Sequence, residues 1–77
     1  MNIAEMNTPF SVGISNIIKE KGLKQIYVAE KAGLGKQEFS DMLNGRKLIK
    51  VCDLPRIAEA LEVTTNDIYA AGIEGGG

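Results

Sequence analysis

The 77-residue chain has no histidine and a single cysteine, Cys52. One cysteine cannot form an internal disulfide, and a zinc site built from cysteine and histidine is excluded. The same absences exclude the Ser/His and Cys/His pairs of nucleophilic enzymes, and the sequence contains no phosphate-binding GxxxxGK(S/T) loop. We therefore expect neither an enzyme nor a bound metal or other cofactor. A lone thiol in so small a helical domain is expected to be a half-buried apolar residue.

Long hydrophobic runs are also missing. No apolar stretch approaches the ~20 residues that a membrane-spanning helix needs. The first seven residues are polar and acidic with no apolar run behind them, which is not the pattern of a signal peptide. The sequence therefore predicts one small, soluble, cytoplasmic domain with no membrane partner.

The net charge of −1 argues weakly against a nucleic-acid partner, because domains that bind nucleic acids are often basic. The charges are unevenly distributed, however. Residues 19–50 hold eight of the nine cations and four of the ten acids, a charge of +4, which leaves −5 for the remainder. This asymmetry suggests a positive face and a negative back, and the alternative is a mixed, solvated surface.

Apolar residues recur at helical spacing, and no segment shows the alternation of a strand. The sequence therefore predicts an all-α domain of five short helices, with residues 1–7 disordered, residues 8–71 folded and residues 72–77 a flexible, glycine-rich tail. Capping and turn residues predict the limits of the first three helices: Thr8-Pro9 to Gly22, about Gln25 to Ala32, and just after Gly35 to Asn44-Gly45. The fourth helix is predicted to start between Val51 and Asp53. The fifth is predicted to start at Thr64, with Asp67 three residues later.

The segment 25–45 (QIYVAEKAGLGKQEFSDMLNG) is predicted to form a helix, a tight turn at Gly33 and a second helix. At 100° per residue, Phe39 and Met42 lie on one side of the second helix and its polar residues lie on the other. Two helices joined by so short a turn form the helix-turn-helix motif, which places its second helix in the major groove of DNA.

The sequence resembles the lambda-repressor/Cro-like helix-turn-helix family, also called the Xre family, from about Ile14 to Tyr69. The resemblance implies a compact five-helix DNA-binding domain with its helix-turn-helix at about 25–45. The sequence departs from the family pattern at Lys24 and Gly35, where Ser or Thr caps are usual. It also departs at Glu62, which replaces a common glycine, and at Pro55, which is unusual in this helix. The matching positions are Gln25, Val28-Ala29, Gly33-Leu34, Phe39, Met42, Asn44-Gly45, Ile57-Ala58, Leu61, Val63, Thr64 and Ile68.

By this resemblance Lys36, Gln37 and Asp41 occupy the main base-reading positions, with Ser40 between them. Gln37 can donate and accept together and so matches adenine, and Lys36 can donate to guanine. Asp41 can accept from cytosine or adenine, discriminate against wrong bases, or simply hold Lys36 or Lys47 in place. An ordinary solvated helix face is the alternative for these residues.

Phosphate contacts fix the register of a protein on DNA and carry no sequence information. Gln25 lies at a predicted helix N-terminus, where free N–H groups and the helix dipole favour an anion. Asn44, Arg46, Lys47 and Lys50 follow the reading helix and are expected to contact the DNA backbone, or else only to keep the loop soluble.

We therefore predict a sequence-specific, double-stranded-DNA-binding transcriptional regulator of phage, mobile-element or small bacterial type. It is expected to be a dimeric repressor that reads the major groove of a pseudo-palindromic operator with its third helix, about Lys36 to Asn44. Tyr69, Ile73 and the fifth helix are the expected dimer contact, and the alternative is that they only complete the monomer core. The rival hypothesis is a protein-interaction module, such as the antitoxin of a toxin–antitoxin pair, because the chain is acidic and Asp41 lies on the reading face.

Overall fold

Five α-helices form the regular structure of the computed structural model, which describes residues 3 to 75 and contains no strand within them. The predicted all-α class is confirmed. The helices are α1 (Ile3–Lys21), α2 (Gln25–Ala32), α3 (Lys36–Leu43), α4 (Leu54–Leu61) and α5 (Thr65–Gly75).

All five helices contribute side chains to one core. α1 lies along α5, α2 packs on α4, and α3 contacts both α1 and α2. Burial of each large apolar side chain stabilises the fold by about 1.5–3 kcal/mol. The largest fully buried side chains are those of Ile14, Val28, Phe39, Met42, Ile57, Leu61 and Ile68.

α1 and α5 approach each other so closely that their backbones touch at two glycines. A Cβ atom on Gly13 would lie 1.9 Å from the carbonyl oxygen of Ile68, and a Cβ atom on Gly72 would lie 1.7 Å from that of Pro9. No other residue type fits there unless the helices move apart. The Asn16 amide adds a hydrogen bond across the same contact, to the carbonyl oxygen of Ala71 at 3.2 Å.

The first helix begins at Ile3, earlier than the predicted start at Thr8-Pro9. Residues 3–7, which were expected to be disordered, are helical, and residues 1 and 2 lie outside the described part of the chain. Pro9 is therefore inside the helix, where its missing N–H removes one backbone hydrogen bond. The close contact of the Pro9 backbone with Gly72 explains why the helix nevertheless continues through it.

The last helix also extends further than expected. The predicted tail began at residue 72, but α5 reaches Gly75, and residues 76 and 77 lie outside the described range. Gly72 is buried against α1, so packing keeps this glycine-containing turn helical despite its low helix propensity.

The predicted N-cap of α5 is confirmed as a reciprocal capping box. The Asp67 N–H donates to Thr64 Oγ1 at 3.0 Å, and the Thr64 N–H donates to Asp67 Oδ2 at 3.0 Å. The bond from the Thr64 N–H is the main cause that lowers the pKa of the Asp67 carboxyl below its ordinary value, and the Thr64 side chain adds to it. The box satisfies an N–H group that would otherwise have no partner at this helix start.

The C-terminus of α4 has a strained residue. Glu62 has φ +60°, the left-handed conformation that usually requires glycine. Its N–H donates to the carbonyl oxygen of Glu59 at 3.1 Å, and the Val63 N–H donates to that of Ala58 at 2.9 Å. This is the Schellman pattern of helix ends, formed here with a glutamate in the position that usually holds glycine.

α4 begins at Leu54, just after the predicted start, and Pro55 lies in its first turn, where no N–H is required. The turn that precedes it leaves Cys52 exposed. The expectation that Cys52 is half-buried was wrong, because residues 51–53 form a surface turn in which only Asp53 points inward.

Candidate nucleic-acid interface

α2 and α3 are joined by a turn built on Gly33, as predicted. Gly33 has φ +75°, its N–H donates to the Glu30 carbonyl at 3.1 Å, and the Leu34 N–H donates to the Ala29 carbonyl at 2.9 Å. The turn ends α2 and allows α3 to begin at Lys36. Ala29 is buried, and its small side chain allows close packing of the short helices.

α3 has an apolar face and a polar face. Phe39 and Met42 are completely buried and form its underside. The polar residues face outward: Lys36, Gln37 and Asn44 are exposed, and Ser40 and Asp41 are half-buried. The predicted division of the helix into two faces is confirmed, and the base-reading roles remain predictions.

The outward side chains are hydrogen-bonded to each other along the helix. The Gln37 amide donates to Asp41 Oδ1 at 3.0 Å, and the Asn44 amide donates to Ser40 Oγ at 3.4 Å. Both pairs are four residues apart and are therefore neighbours on one helix face. The Asp41 carboxylate therefore binds Gln37 in this structure. One of the sequence-based hypotheses had paired it with Lys36 or Lys47 instead.

Lys47 is instead paired with Glu38, whose role the sequence analysis missed. Its ammonium group forms a salt bridge with Glu38 Oε2, and both side chains are more than a third exposed. The Lys47 hydrogen bond and then the Lys47 charge lower the pKa of the Glu38 carboxyl, with smaller contributions from the Gly35 backbone and from the charge of Lys50. No helical spacing relates residues 38 and 47, so the sequence held no signal for this pair.

The loop after α3 folds back onto the end of that helix. The N–H groups of Arg46 and Lys47 both donate to the Asp41 carbonyl oxygen, at 2.8 and 3.2 Å, and Gly45 has φ +78°. These bonds fix the start of the loop, so Lys47 lies beside α3. Arg46 and Lys50 are exposed. The structure thus brings Lys47 next to the reading face without testing its role in phosphate binding.

Gln25 is the first residue of α2, and its side chain is exposed. The preceding Lys24 has an extended backbone, and no described side chain caps this helix end by a hydrogen bond. The first N–H groups of a helix have no partner within the helix. They are therefore available to an anion here, and the phosphate contact of Gln25 remains a prediction.

Tyr27 and Lys31 form a second pair on the exposed side of α2. The Lys31 ammonium donates to the Tyr27 hydroxyl at 3.1 Å and lies 5.5 Å from the centroid of its ring. The hydrogen bond to Tyr27 is the main cause that raises the pKa of Lys31, and the charges of Glu62 and Glu59 add to it. The pair anchors the tyrosine ring over the helix surface.

Two negative findings concern residues 3–75. None of the helices in this range is long and apolar enough to cross a membrane. Among residues 9–73, whose side chains the structure describes, no three His, Cys, Asp or Glu residues are grouped so that they could hold a metal ion.

Comparison with known proteins finds one matching family and several similar solved structures. The family described as helix-turn-helix matches residues 14–68, and a comparison with curated proteins gives no significant match. Among solved structures, the clp gene regulator ClgR from Corynebacterium glutamicum matches with a TM-score of 0.82 and 17% identity, covering 91% of each chain.

Two restriction-modification controller proteins have similar folds. C.Esp1396I, solved as a point mutant, matches with a TM-score of 0.80 and 24% identity over 91% of this chain and 89% of that one. C.AhdI from Aeromonas hydrophila matches with a TM-score of 0.75 and 19% identity over 83% of this chain and 97% of that one. At these identities the likeness establishes the fold, including the turn between α2 and α3.

Proposed function

Because the chain belongs to the helix-turn-helix family of lambda-repressor and Xre type, it is a DNA-binding regulator, and we propose that it represses transcription as a dimer with α3 in the major groove. One observation supports this proposal most strongly. The polar face of α3 points outward over buried Phe39 and Met42, so an approaching duplex meets side chains that can bond base edges.

We assign two kinds of DNA contact. The base-reading residues are Lys36, Gln37, Ser40 and Asp41 on α3, with Asp41 acting next to Gln37. The phosphate contacts come from the N-terminus of α2 and from the end of α3 with the loop that follows, and their residues are Gln25, Asn44, Arg46, Lys47 and Lys50. Phosphate contacts set the register, and the α3 side chains give the specificity.

A dimer is proposed because a single module buries only about 600–1,000 Å² of its surface on DNA, which is the low end for specific binding. Two half-sites about one helical turn apart would match a two-fold dimer. Tyr69 and Ile73 lie four residues apart on α5 and are 43% and 52% exposed, an apolar pair suited to a second copy. The Tyr69 ring is already supported by Phe10, with centroids 5.5 Å apart.

The similar solved proteins are a gene regulator and restriction-modification controllers by their names. We propose that this chain has the same kind of role, the control of a small set of genes, in the cytoplasm and without a cofactor. The family and these neighbours argue against an enzyme and do not favour a module that binds only protein, such as an antitoxin.

The test is selection of a preferred operator from random duplexes, followed by affinity measurements at several salt concentrations. If Arg46, Lys47 and Lys50 of both protomers contact phosphates, log K should fall with log salt with a slope of roughly −5. Binding that is absent or insensitive to salt would favour the protein-interaction hypothesis instead. Sedimentation with and without operator checks the dimer, and a monomer on the operator would contradict it.

A matched pair of substitutions separates a phosphate contact from general charge. Lys47→Ala should weaken binding to all duplexes alike and reduce the salt slope by about one unit per protomer. Arg56→Ala removes the same charge from α4, where the side chain lines an open groove with Glu30 and Glu59, and should leave the slope unchanged. Equal effects of the two substitutions would count against Lys47 as a backbone contact.

A further inference from the structure

Gln37 and Asp41 form the one side-chain hydrogen bond described between two of the predicted base-reading residues. The Gln37 Nε2 atom donates to Asp41 Oδ1 at 3.0 Å. Gln37 is exposed and Asp41 is half-buried, so the carboxylate lies deeper than the amide that it binds. The backbone carbonyl of the same aspartate accepts the Arg46 and Lys47 N–H groups, which fixes the end of the helix on which it sits.

This bond removes an ambiguity that a free glutamine would have. A glutamine amide can turn over and exchange its oxygen and nitrogen at little cost in water. An ionised carboxylate only accepts hydrogen bonds, so Gln37 must offer its NH₂ group, and not its oxygen, to Asp41. The amide is thereby held in one of its two orientations before any DNA is present.

The orientation leaves a defined set of polar atoms free. An amide nitrogen carries two hydrogens, and the bond to Asp41 uses one of them. The remaining hydrogen and Oε1 can form an adjacent donor and acceptor. In the major groove, adenine presents an N7 acceptor beside an N6 donor and is the base that such a pair matches.

We propose that Asp41 is a positioning residue, which orients the Gln37 amide so that this helix selects adenine at one base pair of each half-site. The inference rests on the proposed DNA-binding function and makes it more specific. Asp41 then contributes to base reading through Gln37, by orienting its amide. Holding the amide before binding also avoids part of the entropy cost of ordering a long side chain at the interface.

The second acid of α3 offers a matched control. Glu38 carries the same charge on the same helix, but its carboxylate binds Lys47 and not a base-reading side chain. Replacing either acid by its amide removes one negative charge near the phosphates. Only the change at Asp41 replaces the acceptor-only group that orients Gln37 by an amide that can also donate.

The experiment measures the affinity of the full chain for four duplexes. These are the selected operator and three altered operators, each with a different base pair at the position that Gln37 reads. Discrimination of about 5- to 150-fold is expected for the wild type, as for one bidentate contact. Asp41→Asn should reduce this ratio, because an asparagine satisfies either orientation of Gln37, and Asp41→Ala should reduce it further. Glu38→Gln should raise the affinity for all four duplexes and leave the ratio unchanged.

A double substitution shows whether Asp41 acts through Gln37. In a Gln37→Ala background, Asp41→Ala should change the discrimination at this base pair no further. In the free wild-type protein, NMR of the Gln37 side-chain NH₂ group should show one proton shifted by its hydrogen bond, and the shift should disappear in Asp41→Ala. Circular dichroism checks that every variant is folded.

Three results would overturn the proposal. The first is that both Asp41 variants discriminate between base pairs as well as the wild type. The second is that Asp41→Ala lowers the discrimination at the same base pair further in the Gln37→Ala background. The third is that the selected operator has a base other than adenine where Gln37 reads. These results leave the DNA-binding function standing. If the wild-type chain binds no duplex in a salt-dependent way, the proposed function fails, and the inference fails with it.

Discussion

Glycine serves different purposes in the α1–α5 pair and in the α2–α3 unit. In the pair, Gly13 and Gly72 remove side chains so that two backbones touch, and a Cβ atom on either would lie within 2 Å of a carbonyl oxygen. In the unit, a Cβ atom on Gly33 would meet nothing within 4 Å, and the residue is needed for its φ of +75°. The first region needs glycine for packing, and the second needs it for chain direction.

The difference extends to the polar side chains. The α1–α5 contact includes the hydrogen bond from the Asn16 side chain and depends on close packing of the two backbones. The α3 surface carries the pairs Gln37–Asp41 and Glu38–Lys47, which stabilise little because they are solvated. The α1–α5 pair thus supports the fold, and the α3 surface is separate from it. Substitutions in the pair should lower the unfolding free energy, and substitutions on the α3 surface should weaken DNA binding.

The largest effect is expected for Gly13→Ala in the supporting pair. The new Cβ atom would clash with the Ile68 carbonyl group, which is backbone and cannot turn aside, so the substitution should cost about 3 kcal/mol of unfolding free energy. Urea unfolding measures the loss. Gly35→Ala is the control, because its Cβ atom would lie 3.9 Å from the nearest neighbouring atom, and it should cost less than about 1 kcal/mol. A Gly13→Ala protein as stable as the wild type would show that α1 and α5 pack less closely.

The next largest effect is expected on the reading face. Gln37→Ala should cost about 1–3 kcal/mol of binding free energy on the selected operator and relax the preference at one base pair. Because Gln37 is exposed, the unfolding free energy should change by less than about 0.5 kcal/mol. Fluorescence anisotropy and urea unfolding on the same samples test both statements. A uniform loss on all duplexes, like that of Lys47→Ala, would mean that the reading face is wrongly assigned.

A smaller effect is expected where α5 begins. Thr64→Ala removes half of the capping box and should cost about 1 kcal/mol of unfolding free energy at neutral pH. The pKa of Asp67 is lowered in the folded state, so its contribution is present above the ordinary value of 3.8 and is lost as the pH falls through the folded value. Stability measured between pH 7 and pH 2 should therefore decline less steeply in Thr64→Ala. An unchanged acid limb would show that the Thr64 hydroxyl does not lower the pKa of Asp67, because the backbone N–H bond remains in the variant.

The smallest effect is a gain. Glu62→Gly should stabilise the protein by about 0.5–1 kcal/mol, because glycine adopts the left-handed conformation without the penalty of a Cβ atom, although it loses more entropy on folding. Thermal unfolding measures the change. Glu59→Gly, in the interior of the same helix, is the matched control and should destabilise by about 1 kcal/mol. A loss at Glu62 would mean that its side chain contributes more than its backbone conformation costs.

The limits of α2 and α3 could be predicted because local signals set them. Gly33 allows the turn, and the burial of Phe39 and Met42 follows from helical spacing. The capping box of Thr64 and Asp67 is local in the same sense. The Gln37–Asp41 bond also has a signal, their spacing of four residues, although the sequence analysis assigned Asp41 other partners.

The helices of the reading unit and the polar face of α3 follow from the sequence, since both depend on neighbours within a few residues. The continuation of α1 through Pro9 and of α5 to Gly75 depends on tertiary packing, because the Pro9–Gly72 contact joins distant parts of the chain. Tertiary packing also decides that Lys47 meets Glu38, since a loop must fold back before the two charges are close. Helical periodicity predicts on which face of its helix a residue lies, and tertiary packing determines which residues it contacts there.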